Sequence, residues 1–88
     1  MDQQLSDRLL PIARDLRRGA SAAALSAFAE FTGDLVEALP SIGERVAELM
    51  PTIEAALAAQ QRADYLGLAD VLEYELAPTL SIVFQAPG

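Results

Sequence analysis

The sequence contains no cysteine, no histidine and no lysine, and each absence excludes a class of function. Without cysteine the chain cannot form a disulfide or bind zinc through thiolates. Without histidine it cannot build a Ser-His-Asp or Cys-His catalytic arrangement, a histidine phosphotransfer site, or the Glu-x-x-His motif of di-iron bundles. Without lysine it has neither a P-loop nor a Schiff-base lysine. We therefore predict that the protein is not an enzyme and uses no cofactor or metal.

Long apolar segments are also missing. No run approaches the roughly 20 apolar residues that cross a bilayer. The N-terminus starts with acidic and amide residues instead of the basic stretch and apolar core of a secretory signal. The absence of cysteine fits a reducing compartment. We therefore expect a cytoplasmic protein that does not insert into a membrane.

Acidic residues dominate the charge, with 13 Asp and Glu against 6 Arg and a net charge of −7. Residues 1–19 have a balance of +1 and residues 20–88 a balance of −8. The chain lacks the concentrated basic surface that phosphate backbones require, so nucleic acid is not an expected partner. The basic end of the first segment complements the helix dipole, binds an acidic partner or lipid, or pairs with acidic helices of the same or a neighbouring chain.

Apolar residues make up 52% of the chain and recur at helical spacing. This pattern predicts a folded all-α protein. Turn chemistry divides them into four segments, so we predict one domain over 1–88, an up-and-down bundle of about four helices. Pro11 and Pro51 fall inside stripes whose phase continues; at Pro11 we expect a kink or a late helix start instead of a break, and Pro51 either kinks or interrupts its helix. The four stripes are Leu5, Leu9, Ile12 and Leu16; Leu25, Phe28, Thr32, Leu35 and Leu39; Ile42, Val46, Leu49, Ile53 and Leu57; and Tyr65, Ala69, Leu72, Leu76 and Val83.

Local signals predict where these helices begin and end. Ser41 and Glu44 after Pro40 form a capping-box pattern, which predicts a helix starting at Ile42. Asp64 is a candidate N-cap for the fourth segment. The third and fourth segments could form two helices or one long bent helix. Gly33 lies inside the second segment, and we interpret it as a point of close helix packing.

Residues 63–78 combine four carboxylates and two tyrosines in one helical pattern. On an ideal helix Tyr65 lies on the core stripe, Asp70 and Tyr74 lie on the far face, and Glu73 and Glu75 flank the core on opposite sides. Carboxylates that diverge in this way cannot chelate a metal within the helix or oppose each other as glycoside hydrolysis requires. The segment is either the solvated side of a core helix or a recognition surface.

Several apolar residues lie outside the four stripes, which predicts burial against another chain. These residues are Leu10, Leu66, Val71, Ile82 and Phe84. Our leading hypothesis is a chaperone-like or adaptor-like module, a homodimer that binds an amphipathic helix of a partner protein. We expect Leu66, Val71, Tyr74 and Phe84 to make apolar contacts and Asp70 and Glu73 to give acidic selectivity. The alternatives are a self-assembling structural subunit and a carboxylate metal site formed between chains.

One motif in the last segment resembles a pattern found in small helical bacterial proteins of unassigned function. Some of those proteins accompany motility genes, and the resemblance implies no catalytic residues. In general character the chain is also similar to the flagellar and type III export chaperones, which are small, acidic and helical and hold an amphipathic segment of a partner. The residues that carry the first resemblance are Asp64-Tyr65, Leu68-Ala69-Asp70, Leu72-Glu73-Tyr74-Glu75-Leu76 and Pro78.

Overall fold

A computed structural model describes residues 3–84, and all regular structure in this range is helical, which confirms the all-α prediction. The predicted number of about four helices is corrected to three in this range, because the helical residues form three stretches, of which the middle one is kinked at Gly43. The first stretch is one helix, the middle stretch covers 22–61, and the last stretch covers 65–83. The first stretch is α1 (Gln3–Arg18). The middle stretch consists of α2 (Ala22–Ala38), a 3₁₀ segment (Leu39–Arg45) and α3 (Val46–Gln61). The last stretch consists of α4 (Tyr65–Asp70), a π segment (Val71–Leu76) and α5 (Ala77–Val83).

Helix α1 continues through Pro11 and buries one face. Leu9, Ile12 and Leu16 of the predicted stripe are buried. The buried Ser6 hydroxyl donates to the carbonyl of Ala77, 3.1 Å away on α5. Because a hydroxyl has one proton, the 2.9 Å contact between the Ser6 and Ser81 oxygens must be donated by Ser81. This pair of hydrogen bonds joins the first helix to the last one.

Helix α2 starts at the N-cap Ser21, whose Oγ accepts a hydrogen bond from the backbone nitrogen of Ala24 at 3.2 Å. Its buried residues are Ala24, Phe28, Phe31 and Leu35. The interpretation of Gly33 as a point of close packing is wrong. A Cβ atom at Gly33 would meet no atom within 4 Å, and the residue is exposed.

The middle stretch bends in the 3₁₀ segment, where Gly43 has φ 57° and ψ −124°. The predicted capping box does not form, and α3 starts at Val46 instead of Ile42. The reason is that helical winding continues past Pro40, so Ser41 is not at a helix start, and its Oγ donates to the carbonyl of Ala38 at 2.7 Å. Helix α3 itself continues through Pro51.

A Schellman turn separates α3 from the last stretch, so the third and fourth predicted segments are distinct. Backbone nitrogens of Ala63 and Asp64 donate to the carbonyls of Gln60 and Ala59, at 3.0 and 2.9 Å. Ala63 occupies the left-handed position with φ 59°, where glycine is usual. The predicted N-cap at Asp64 is confirmed, because its Oδ1 accepts from the nitrogen of Gly67 at 3.0 Å.

The π segment widens the last stretch just before Pro78. Proline has no N–H, and in an α-helix its ring would crowd the carbonyl four residues earlier, so a wider turn relieves the conflict. The extra residue in that turn rotates later side chains back by about 100°. This rotation buries Phe84, which is 8% exposed, so the expectation that Phe84 offers a surface contact is wrong.

The last stretch packs against α1 on one side and α3 on the other, and α1 also packs against α2. The pair α2 and α3 is not among the closely packed pairs. The fully buried large side chains come mainly from α1 and the last stretch, and they include Leu9, Leu16, Leu68, Leu72, Leu76 and Leu80. The core therefore lies around the last stretch, and the buried face of α2 completes it beside α1, with Phe31 and Leu35 near Leu76.

Among residues 3–84, no helix combines the length and the apolar character that crossing a bilayer requires.

We predict that Gly33→Ala raises the free energy of unfolding by about 0.5–1 kcal/mol, because alanine orders the exposed helix at lower entropic cost and meets no neighbour. Urea unfolding followed by circular dichroism measures the change. Gly67→Ala is the matched control, since a Cβ there would displace the Asp64 carboxylate from its capping position. A Gly33→Ala protein less stable than the wild type would contradict the open surroundings of Gly33.

We also predict that Ala63→Gly stabilises the chain, by about 1 kcal/mol, because glycine adopts the left-handed conformation without the steric cost that alanine carries. Thermal unfolding of the two proteins measures the difference. Ala58→Gly, at an exposed position inside α3, should be destabilising. Equal losses for both substitutions would show that the turn imposes no strain on Ala63.

Candidate functional site

Arg17 connects the end of α1 to the last stretch and organises three of the predicted contact residues. Its Nη2 donates to Asp70 Oδ1 at 2.9 Å, and its Nη1 donates to Glu73 Oε1. Its Cζ lies 5.7 Å from the centroid of the Tyr74 ring, within cation–π distance. The hydrogen bonds that Arg17 donates to Asp70 and Glu73 raise its pKa above the ordinary value. We call these four residues the Arg17 cluster.

The Arg17 cluster corrects the expectation that the carboxylates of the last stretch diverge, because Asp70 and Glu73 converge on one guanidinium. It also changes the role expected for Asp70 and Glu73. They were predicted to select a partner by charge, but within this chain they already neutralise Arg17. Among the interpretations of the basic end of α1, these ion pairs show the pairing with an acidic helix of the same chain.

The other predicted contact residues differ in exposure. Tyr74 and Leu66 are 67% and 63% exposed, on the same face of the last stretch at a spacing of eight residues. Val71 is partly buried against the core. With Phe84 buried as well, two of the four predicted apolar contacts are available at the surface.

A cleft of about 440 Å³ lies beside the Arg17 cluster and is lined by Leu10, Arg14, Arg17, Arg18 and Glu73. Arg14 and Arg18 are exposed and form no ion pair within the described part of the chain. The cleft is wide and charged. It can attract an anionic group, and Leu10 is the one apolar residue in its lining.

A second surface feature, which sequence reasoning missed, is an apolar groove between α2 and α3. Its volume of about 20 Å³ holds one water-sized group. None of its lining residues is charged. We call it the α2–α3 groove, and it is lined by Phe28, Phe31, Thr32 and Leu35 of α2, Ile53, Ala56 and Leu57 of α3, and Leu76 of the last stretch.

Exposed apolar side chains extend the α2–α3 groove along both helices. Leu57, in the groove wall, is 38% exposed. Val36 follows the groove residue Thr32 by four positions and is 59% exposed. Met50 precedes the groove residue Ile53 by three positions and is 39% exposed. The sequence signal for this surface is the apolar stripe of α2, which Phe31 and Val36 make wider than one core contact requires.

Ion pairs occupy most of the arginines in the described residues. Arg8 pairs with Asp34 at 2.8 Å and lies over the Phe31 ring, which holds α1 to α2. Arg45 pairs with Glu48 at 2.8 Å, and Arg62 pairs with Asp64 at 3.3 Å. The Arg45 hydrogen bond lowers the pKa of Glu48 and raises that of Arg45. The positive charge of the chain is thus largely neutralised internally.

Chemical groups for catalysis do not gather at any of these surfaces. Within residues 3–84, no three Asp or Glu side chains converge as they would around a metal ion. In the same range, every buried side-chain nitrogen or oxygen has a hydrogen-bond partner. What the surfaces present is contact chemistry, namely apolar side chains on α2 and α3 and charges on α1 and the last stretch.

No protein-family model, no curated protein and no solved structure matches this chain. The resemblance of residues 64–78 to small helical bacterial proteins stays a prediction.

We predict that Arg17→Gln lowers the urea midpoint at low salt, because it leaves Asp70 and Glu73 facing each other without a cation. The loss should shrink at high salt, where exposed charges are screened. The control is Arg14→Gln, which removes the same charge from an exposed α1 position without an ion pair. Equal effects of the two substitutions would mean that the Arg17 cluster does not hold α1 to the last stretch.

Proposed function

We propose that the chain is a non-enzymatic interaction module, chaperone-like or adaptor-like, that binds an amphipathic helix of a partner protein along the α2–α3 groove. The observation that carries this proposal is the uncharged groove between two helices, continued by the exposed Val36, Met50 and Leu57. Amphipathic helices dock on such surfaces through apolar side chains spaced by three and four residues. The lack of cysteine supports a cytoplasmic location for this role.

The packing of the helices supports the choice of this groove. Helices α2 and α3 are joined through the 3₁₀ segment, and each packs closely on a different neighbour, α1 or the last stretch. The groove holds one water-sized group, so the partner helix lies over it and packs its apolar side chains on the exposed Val36, Met50 and Leu57. Burying an apolar side chain of leucine size contributes about 1.5–3 kcal/mol. Two or three such side chains supply the binding energy of a transient complex.

The face predicted from the sequence is less suited to this role. It retains Leu66 and Tyr74 as exposed apolar groups, but Asp70 and Glu73 are engaged by Arg17 and Phe84 is in the core. This face supports the second candidate, a homodimer or larger self-assembled subunit. In that arrangement Leu66, Tyr74 and Ile82, all more than half exposed, would be covered by other copies of the chain.

The test is binding of a fluorescent model peptide, an amphipathic helix of about 20 residues with leucines at three- and four-residue spacing and a neutral mixture of Lys and Glu elsewhere. We predict that Val36→Ser/Leu57→Ser weakens binding about tenfold or more, because it removes two apolar contacts. Fluorescence anisotropy measures the affinity. Both residues are exposed, and circular dichroism verifies that the variant folds.

The matched control is Leu66→Ser/Tyr74→Ser, which removes two exposed apolar side chains outside the groove. It should leave peptide binding unchanged. Loss of binding in this control alone would transfer the docking site to the last stretch. Light scattering of the wild type over a dilution series examines the second candidate, and a large assembly that the control disrupts would favour self-assembly over peptide capture.

A further inference from the structure

The bend between α2 and α3 depends on the backbone of one residue. Gly43 is the residue of the 3₁₀ segment whose angles are not helical, with φ 57° and ψ −124°. Leu39 and Arg45, at the two ends of the segment, have right-handed helical angles. None of the residues in the segment is fully buried. A rotation of the backbone at Gly43 to helical angles would therefore join α2 and α3 into one continuous helix.

The strongest contacts of the molecule connect the part before Gly43 to the part after it. Helix α1 packs on the last stretch, where Ser6 donates to Ala77 and Arg17 pairs with Asp70. By contrast, α2 and α3 are not closely packed on each other, and no ion pair of the described residues joins them. The chain thus consists of two helical hairpins, α1 with α2 and α3 with the last stretch, and each hairpin covers the core face of the other.

From this arrangement we infer that the chain forms a domain-swapped dimer. In each copy Gly43 takes helical angles, and the α1–α2 hairpin packs on α3 and the last stretch of the other copy. The contacts between the two hairpins re-form across the copies, so the dimer buries the same core as the monomer and differs from it at the bend. Glycine adopts both conformations without steric cost. Protein concentration then decides which form is populated, because association costs two chains their independent motion.

This dimer goes beyond the proposed function and leaves the docking surface intact. The α2–α3 groove re-forms between α2 of one copy and α3 of the other, so both forms present it. The swapped dimer also differs from self-assembly through the exposed surface of the last stretch. The swap exchanges contacts of the core and does not cover Leu66, Tyr74 or Ile82.

The variant Ser6→Cys/Ser81→Cys reports which chain supplies each side of the core. The two hydroxyl oxygens lie 2.9 Å apart, and the natural chain has no cysteine, so oxidation joins the two introduced thiols. The variant is unfolded in urea, refolded at concentrations from micromolar to millimolar, and oxidised. The disulfide closes within one chain in the monomer and links two chains in the swapped dimer. We expect denaturing gels without reductant to show a linked fraction that rises with concentration and exceeds that of Ser6→Cys alone.

We predict that Gly43→Ala raises the association constant at least about tenfold, because alanine disfavours the monomer's φ of 57° and favours the continuous helix of the dimer. A Cβ atom at Gly43 meets no atom within 4 Å, so a steric clash would not explain the shift. Gly33→Ala is the matched control, since Gly33 is exposed inside α2 and helical in both forms. Light scattering after size-exclusion chromatography measures the association constant, and circular dichroism verifies that both variants fold.

The outcomes separate the swap from other forms of association and from peptide binding. Dimers that Gly43→Ala enriches and whose disulfides link two chains support the swap. Dimers whose disulfides stay within single chains overturn it and favour association through Leu66 and Tyr74. Monomers at every concentration, for the wild type and for Gly43→Ala, overturn it as well. None of these results depends on peptide affinity, which Val36→Ser/Leu57→Ser tests separately, so the two proposals fail independently.

Discussion

Pro78 imposes the constraint on which the packing of the molecule depends. It lies inside the last stretch, and the π segment before it accommodates the proline without ending the helix. The four leucines at 68, 72, 76 and 80 are all buried at a constant spacing of four residues. In an α-helix this spacing would drift by about 40° per step. The wider turn counteracts the drift, so one row of leucines stays in the core between α1 and α3.

Arginines on α1 fasten the helices that pack against it, and they do so in the same way twice. Arg8 pairs with Asp34 and lies over Phe31 of α2, while Arg17 pairs with Asp70 and Glu73 and lies over Tyr74 of the last stretch. In each case a carboxylate fixes the guanidinium and an aromatic ring covers its face. Two of the four arginines of the first segment are therefore used inside the molecule. This leaves α2 and α3 as an acidic surface without a cation of their own.

Local rules predicted the features that depend on a few neighbouring residues. The N-cap at Asp64 and the core stripe of α1 follow from capping chemistry and from the 3.6-residue period. The capping box at Ser41 failed because the same hydroxyl had a competing acceptor in the Ala38 carbonyl. The exposure of Phe84 was predicted wrongly because the projection assumed about 100° per residue throughout, and a π turn departs from that angle. The sequence signals for the π turn were the constant four-residue spacing of these leucines and Pro78 within their row. The α2–α3 groove depends on which helices do not pack closely, and no local pattern encodes that.

The hydrogen bonds of Ser6 to Ala77 and Ser81 connect residues more than 70 positions apart. Contacts of such large sequence separation are slow to form, because closing the long intervening chain costs conformational entropy before any packing compensates for it. On the ribosome, α1 emerges with its apolar face uncovered and stays so until the last stretch has been synthesised. Complete folding therefore waits until the last stretch has been synthesised, and before then α2 is the helix that packs against α1.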